Sequence, residues 1–412
     1  MCIFAILHFI LILIKMDILT RRFYEKYAQI NTKLVRDFIN IIDWSNRFIG
    51  IKGSRGVGKT TLLLQYIKMN YKPDFKVLYT SLDNLYFTEN HLYDLAETFY
   101  KKGGELLALD EVHRYPNWSI ELKNIYDDFP NLKVVFTGSS LLQISKANAD
   151  LSRRAVMYEM PGLSFREFLI FENVIKLPSL TIQDIFKNHV QIAVDIIGQI
   201  KPLEHFSNYL NYGYYPFYLD NTKSFHQKLF ETIQITLEID IPQFESIQTS
   251  NIIYLRKLLQ IISAAVPFKP NLNTISQRTG ISLNTMKQYM KYLYDANLIS
   301  MLYFEEKGIN SMNKPEKIYL QNTNLMNSLA PDNTEIGHIR ETFFYSQTSA
   351  FLKVNAAYKA DFLLENKYTV EIGGKSKTQH QIIGIKNAFI VKDNIEVGND
   401  NIIPLWLFGF LY

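Results

Sequence analysis

Between residues 47 and 160, short apolar runs alternate with longer stretches whose apolar residues recur at helical spacing. Arg47-Phe48-Ile49-Gly50-Ile51-Lys52, Lys76 to Thr80, the apolar run from Glu105 to Asp110-Glu111, Lys133 to Phe136, and Val156 to Met160 are too short for helices and read as buried strands. Residues 61–68, 88–101 and 118–129 read as helices, the last with Trp118, Leu122, Ile125 and Phe129 on one face. Strand and helix in alternation predict an α/β fold with a parallel sheet. Residues 17–46 read as a helical approach to the first strand. Residues 166–250 read as mostly helical, with breaks at Pro178 and Pro202.

Further on, the pattern predicts two short helices and a strand. Leu272, Ile275 and Ser276 sit on one helix, Gly280 ends it, and Ser282 caps the next. The second helix turns Met286, Met290 and Leu293 inward and puts Lys287 and Lys291 on another face. Residues 297–303 read as the wing strand of a winged helix. Charge supports a distinct role here. Residues 251–310 carry 7 Lys+Arg against 3 Asp+Glu, while the remainder of the chain is balanced at 37 against 37, so this segment holds the whole net charge of +4. DNA is the partner such a surplus suggests; an unidentified protein partner is the alternative.

At 412 residues the chain has room for two to four domains. Its one cysteine, Cys2, excludes an internal disulfide and fits a reducing compartment, so a cytoplasmic protein is expected. Residues 1–14 are almost wholly apolar but fall short of the about 20 residues that span a bilayer, and they lack the flanks of a secretion signal. They read as an untranslated upstream stretch with Met16 as the start. A membrane-associated N-terminus is the alternative, and no membrane partner is expected.

The strongest motif follows the first strand. Gly53-Ser54-Arg55-Gly56-Val57-Gly58-Lys59-Thr60-Thr61 contains G-x-x-x-x-G-K-[ST] between a strand and a helix, the setting of a phosphate-binding loop. Its glycines let successive N–H groups face phosphate oxygens at a helix N-terminus. Lys59 would reach the β and γ phosphates of ATP, and Thr60 would hold Mg²⁺. About fifty residues on, an apolar strand ends in Asp110-Glu111, the Walker B pattern: Asp110 would organise Mg²⁺ and Glu111 would polarise the attacking water. In Thr137-Gly138-Ser139-Ser140 one hydroxyl, taken as Ser139, would position that water or touch the γ-phosphate; a helix cap is the structural alternative. Arg153 and Arg154 are candidates for stabilising transferring phosphoryl charge, in the manner of a finger from a neighbouring copy in a homo-oligomer.

These motifs, with Asp110-Glu111-Val112-His113-Arg114-Tyr115-Pro116-Asn117-Trp118 and Pro161-Gly162-Leu163-Ser164-Phe165-Arg166-Glu167-Phe168, resemble the bacterial and archaeal AAA-family ATPases that carry a C-terminal nuclease-like domain. The resemblance spans about residues 16–412. It implies a five-stranded parallel sheet with the phosphate-loop strand central, followed by a helical lid. The C-terminal acids Glu341, Asp361 and Glu371 resemble the PD-(D/E)XK nuclease arrangement, in which clustered carboxylates bind Mg²⁺ beside a lysine. That lysine should lie two residues after Glu371, where Gly373 stands; Lys375 is four residues on, and a bulge would be needed to realign it.

The expected order is therefore an N-terminal segment 1–46, an AAA-type P-loop core 47–165, a helical lid 166–250, a winged helix 251–305 and a restriction-endonuclease-like α/β domain 306–412. The expected activity is ATP binding and hydrolysis coupled to the C-terminal module. An ATP-gated, Mg²⁺-dependent nuclease and a nucleotide-dependent scaffold without turnover are the alternatives.

Overall fold

The structure is a computed structural model that describes residues 2–138, 151–242, 249–265, 267, 269–305, 315–331, 335–375, 377 and 380–412. The chain divides into two compact units, Met1–Pro161 and Gly162–Tyr412.

The first unit opens with α1 (Cys2–Gln29), which lays Met16, Leu19 and Phe23 against β2 (Val77–Ser81). The helix expected over 17–46 stops at Gln29. Beyond it the chain is irregular apart from one 3-10 turn, Asp37–Asn40. Its carbonyls at Asn31 and Leu34 accept from the Gln65 side chain, so they need no helix. β1 (Phe48–Lys52), α2 (Lys59–Asn70), β2, α3 (Leu92–Lys101), β3 (Leu106–Asp110), α4 (Trp118–Asp128), β4 (Lys133–Gly138) and β5 (Val156–Glu159) then follow.

All five strands are parallel, in the order β2-β3-β4-β1-β5. β1 is interior, as expected, but β4 occupies the middle. Leu106, Leu107, Ala108 and Leu109 are all buried, the unbroken apolar run of a strand covered on both faces. The register pairs Ile51 with Thr137 and Ser81 with Asp110, which brings the carboxyl ends of β1, β2, β3 and β4 to one edge. Loops that bind ligands emerge there in sheets of this kind.

The second unit contains a mixed sheet in the order β12-β11-β10-β9-β8. β8 (Val354–Ala356), β9 (Phe362–Leu364) and β10 (Tyr368–Gly373) run antiparallel, while β11 (Ala388–Lys392) and β12 (Ile402–Pro404) run parallel to β10. The helices expected as a separate lid share its core. Phe165 and Phe206 meet Phe343 and Phe410, and Phe186 meets Tyr368, Phe389 and Phe408. Asn324, fully buried, donates to the carbonyls of Tyr209 and Leu210 and accepts from the Tyr214 N–H. Tyr209, Tyr214 and Tyr215 are thus packing residues. The two ends of the unit also meet, where Ser164 Oγ and Arg166 Nε both donate to the backbone oxygen of Tyr412. The expected boundaries at 250 and 305 both fall inside this unit.

Within it, helix Leu272–Thr279 ends at Gly280 in the left-handed region, and helix Leu283–Asp295 starts at Ser282, whose hydroxyl accepts from the Thr285 N–H. A two-stranded antiparallel sheet follows, β6 (Ile299–Leu302) with β7 (Lys317–Leu320). Among the described residues, no helix is long and apolar enough to cross a membrane.

Candidate functional site

The phosphate loop joins β1 to α2. Gly53, Gly56 and Gly58 have φ of 153°, 87° and 98°, conformations that L side chains rarely adopt. At Gly53 a Cβ would also lie 2.4 Å from the Met160 carbonyl oxygen. Lys59 opens α2, its buried ammonium donating to the carbonyls of Gly53 and Ser54 at 2.8 Å. Val57 is buried, and its carbonyl accepts from Arg36 at 3.2 Å; the same guanidinium nitrogen donates to Pro161 at 2.8 Å. Arg36 therefore ties the segment before β1 to the loop, a role that its position in the sequence did not suggest. Ser54 is buried, Arg55 and Thr60 half-buried, Thr61 exposed.

Asp110, at the end of β3, is buried and ringed by hydroxyls. Its Oδ2 accepts from Thr60 and Tyr79, each at 2.8 Å, and its Oδ1 accepts from Thr137. Burial first, then the Asp110 charge, pushes the Tyr79 phenol far above its ordinary value, so it stays a donor. Thr137 Oγ1 also accepts from the Glu111 N–H at 3.3 Å, and so touches both acids. Among the described residues of 137–140, Thr137 carries a hydroxyl that meets the acids; Ser139 and Ser140 lie outside the described residues. Glu111 stands in the left-handed region, φ 53°, before a 3-10 turn, Val112–Arg114. His113 on that turn is buried with Nε2 3.3 Å from a Glu111 carboxylate oxygen.

Thr60 and Asp110 fit Mg²⁺. They are hard oxygen donors 2.8 Å apart beside the phosphate loop, and a bound nucleotide would complete the ligand set with its own oxygens. Arg154 makes a bidentate pair with Asp127, Nε and Nη2 each at 3.0 Å, while Arg153 is exposed.

The C-terminal acids come together at one cleft in the second unit. Glu341 lies on helix Ile336–Thr348, Asp361 just before β9, and Glu371 on β10. Lys317, on β7, donates to Glu341 and to Asp361, each at 2.8 Å. Burial pushes the Lys317 ammonium down, but Asp361 and Glu341 outweigh it and hold it above its ordinary value. Burial, then the Asp361 charge, raises both Glu341 and Glu371. Tyr319 also donates to Glu341, at 3.0 Å, and the Ile372 N–H donates to Asp361 at 2.9 Å.

The lysine that reaches Glu371 is Lys377, at 2.5 Å; Lys375 is exposed. Gly373 makes this possible, because a Cβ there would lie 2.4 Å from the Lys377 side chain. Lys317, Asp361 and Glu371 line a cleft of about 280 Å³. Among the described residues, no three His, Cys, Asp or Glu side chains converge closely enough to hold a metal ion. Met286, Met290 and Leu293 are buried and Lys287 and Lys291 exposed, as expected.

The parallel sheet, the phosphate loop and the paired acids define a P-loop nucleoside-triphosphate-binding domain. Residues 45–169 match a family model described as an AAA domain. Residues 203–335 match a model described only as a domain of unknown function, DUF8612. The chain is 26% identical to uncharacterized protein MJ1637 of Methanocaldococcus jannaschii, over 87% of this chain and 83% of that one. It is 24% identical to uncharacterized protein MJ1544 of the same organism, over 82% and 77%. Among solved structures, a Walker-type ATPase of Pyrococcus abyssi overlaps 69% of this chain and 91% of its own, at 15% identity and a TM-score of 0.39.

Proposed function

We propose that the first unit hydrolyses ATP with Mg²⁺, and that the second unit is a DNA-binding module controlled by that cycle and without cleavage of its own. The observation that carries the first part is the chain of hydrogen bonds from Thr60 through Asp110 and Thr137 to Glu111. It joins the residue that would hold Mg²⁺ to the one that would polarise water. Lys59 would turn from the loop carbonyls to the β and γ phosphates, and Mg²⁺ held by Thr60, with Asp110 acting through water, would neutralise phosphate charge. Glu111 would take the proton of the attacking water. Arg153, being exposed, is the better candidate of the two arginines for reaching a neighbouring copy's nucleotide.

For the second unit the reading remains a winged helix over residues 251–305 and a nuclease-like fold over residues 306–412. Lys317 and Lys377 favour binding over cutting. Between them they hold the three acids that a Mg²⁺ nuclease would leave to its metal.

Glu111→Gln tests the hydrolytic reading. ATP binding should persist and turnover fall by at least about a hundredfold, because the amide keeps the shape without the base. Equal turnover in variant and wild type would remove Glu111 from the reaction and leave a nucleotide-dependent scaffold as the better reading.

A further inference from the structure

Glu111 adopts a left-handed conformation that is strained for a non-glycine residue, and such strain persists only where neighbours enforce it. Three contacts do so. The Glu111 N–H donates to Thr137, its carbonyl accepts from the Arg114 N–H at 2.9 Å, and its carboxylate meets His113 Nε2. The first two fix the backbone; the last is the one that reaches the carboxylate.

His113 has the right chemistry for that contact. Burial, then the positive charges of Arg114, Lys59 and Arg55, lowers its pKa to about 3, so the imidazole is neutral at any working pH. A neutral ring facing a carboxylate carries its proton on Nε2 and donates it. A cation in the same place would stabilise the carboxylate's charge and weaken it as a base; a neutral donor fixes its direction and leaves that charge largely intact. The 3-10 turn that carries His113 is itself pinned, with Val112 and Tyr115 buried on either side.

We infer that His113 is a positioning residue for Glu111: its buried imidazole, 3.3 Å from the carboxylate, holds that group in place. The inference rests on the hydrolytic reading above. It assigns His113 no contact with nucleotide and no proton transfer.

Steady-state ATP hydrolysis and equilibrium ATP binding, measured on the full chain, test it. His113→Leu should lower kcat by about ten- to a hundredfold, the cost of misplacing a reacting group by up to an ångström, with ATP affinity unchanged within about twofold. His113→Gln, whose amide can still donate, should recover most of the rate, whereas the shorter His113→Asn should not. This pair decides the matter if the leucine variant fails to fold. In a Glu111→Gln background His113→Leu should cost nothing further, since the group it aims is gone.

A loss of the same factor in that background, or an affinity that falls in step with kcat, would show a merely structural role and overturn the inference. Turnover by wild type at a rate the leucine variant matches would overturn it alone. A wild type that binds ATP without turnover would overturn the hydrolytic reading and this inference together.

Discussion

Asp110 and Asp361 are both carboxylates at the end of a strand, and both are largely buried, yet they are satisfied in opposite ways. Three hydroxyls surround Asp110, from Thr60, Tyr79 and Thr137. Around Asp361 and its neighbours Glu341 and Glu371 stand two ammonium groups, Lys317 and Lys377. Hydroxyl donors stabilise a carboxylate without cancelling its charge, so it remains able to attract a cation. A lysine cancels it. A row of acids in a sequence therefore says little about metal binding until their partners are known. On this criterion the first unit is built to take a cation with its nucleotide, and the second already carries its own.

The largest effect that bears on this contrast is expected from Lys59→Ala. Lys59 donates to loop carbonyls, neutral groups it can exchange for phosphate oxygens. Losing charge-assisted bonds worth about 3 kcal/mol should weaken ATP binding at least about a hundredfold, read by titration calorimetry. Affinity within a few-fold of wild type would mean that the loop amides alone hold the phosphates.

A somewhat smaller effect, on stability, is expected from Lys317→Met. It leaves Glu341 and Asp361 facing each other without a cation, which should cost the second unit about 2 kcal/mol at neutral pH. The sign with pH follows from the shift on Glu341, already raised above its ordinary 4.5 by burial and Asp361. Without Lys317 it rises further, so the folded chain holds a proton that the unfolded chain has released. Stability of the variant should then fall as pH rises from about 4.5 towards neutrality, and recover on acidification. Wild type, in which Glu341 and Glu371 are also raised, should lose stability over the same range but less steeply, since Lys317 stays charged and offsets the ionised acids. Thermal unfolding of both proteins between pH 4 and 8 checks this; parallel curves would mean that Lys317 is not the acids' countercharge.

Much of the first site was legible because its chemistry is local. The phosphate loop, its strand and its helix are contiguous, and Asp110-Glu111 ends an apolar run whose type and length mark a buried strand. Thr137 was read only as part of a polar strand end, and the expectation for Ser139 falls outside the described residues. Parallel register is what sets Thr137 beside both acids, and register is a property of paired strands that no single segment contains. His113 stood in plain view two residues after Glu111, but only the tight turn brings its ring back to the carboxylate.

In the second unit the acids were found and their partners missed. Lys317 lies 24 residues before Glu341 and 44 before Asp361, with no periodicity to link them. Motif spacing pointed to position 373, a glycine, and left Lys375 as a substitute that a bulge would have to realign; that glycine instead admits Lys377, because it removes the side chain that would block it. Residues 166–250 were read as mostly helical, but helical character does not name what a helix packs on. Phe186 and Phe206 find the C-terminal sheet and helix, which lie well over a hundred residues away in sequence.

The smallest expected effect concerns lysines that are held differently again. Lys317 and Lys377 are bound to acids within the cleft, whereas Lys287 and Lys291 are exposed on helix Leu283–Asp295, opposite the face that buries Met286, Met290 and Leu293. Lysines four apart on a helix following a short turn can meet successive phosphates of a duplex, and each such contact releases a counterion. Replacing both with alanine should reduce the slope of log affinity against log salt by up to about two, with a several-fold loss at moderate salt that is similar for unrelated sequences. The fold should be untouched, because neither side chain packs. Fluorescence anisotropy with a labelled duplex across a salt series measures both quantities. Identical slopes for the double variant and wild type would mean that these lysines form only a solvated face, and a protein partner would then be the better reading of this helix.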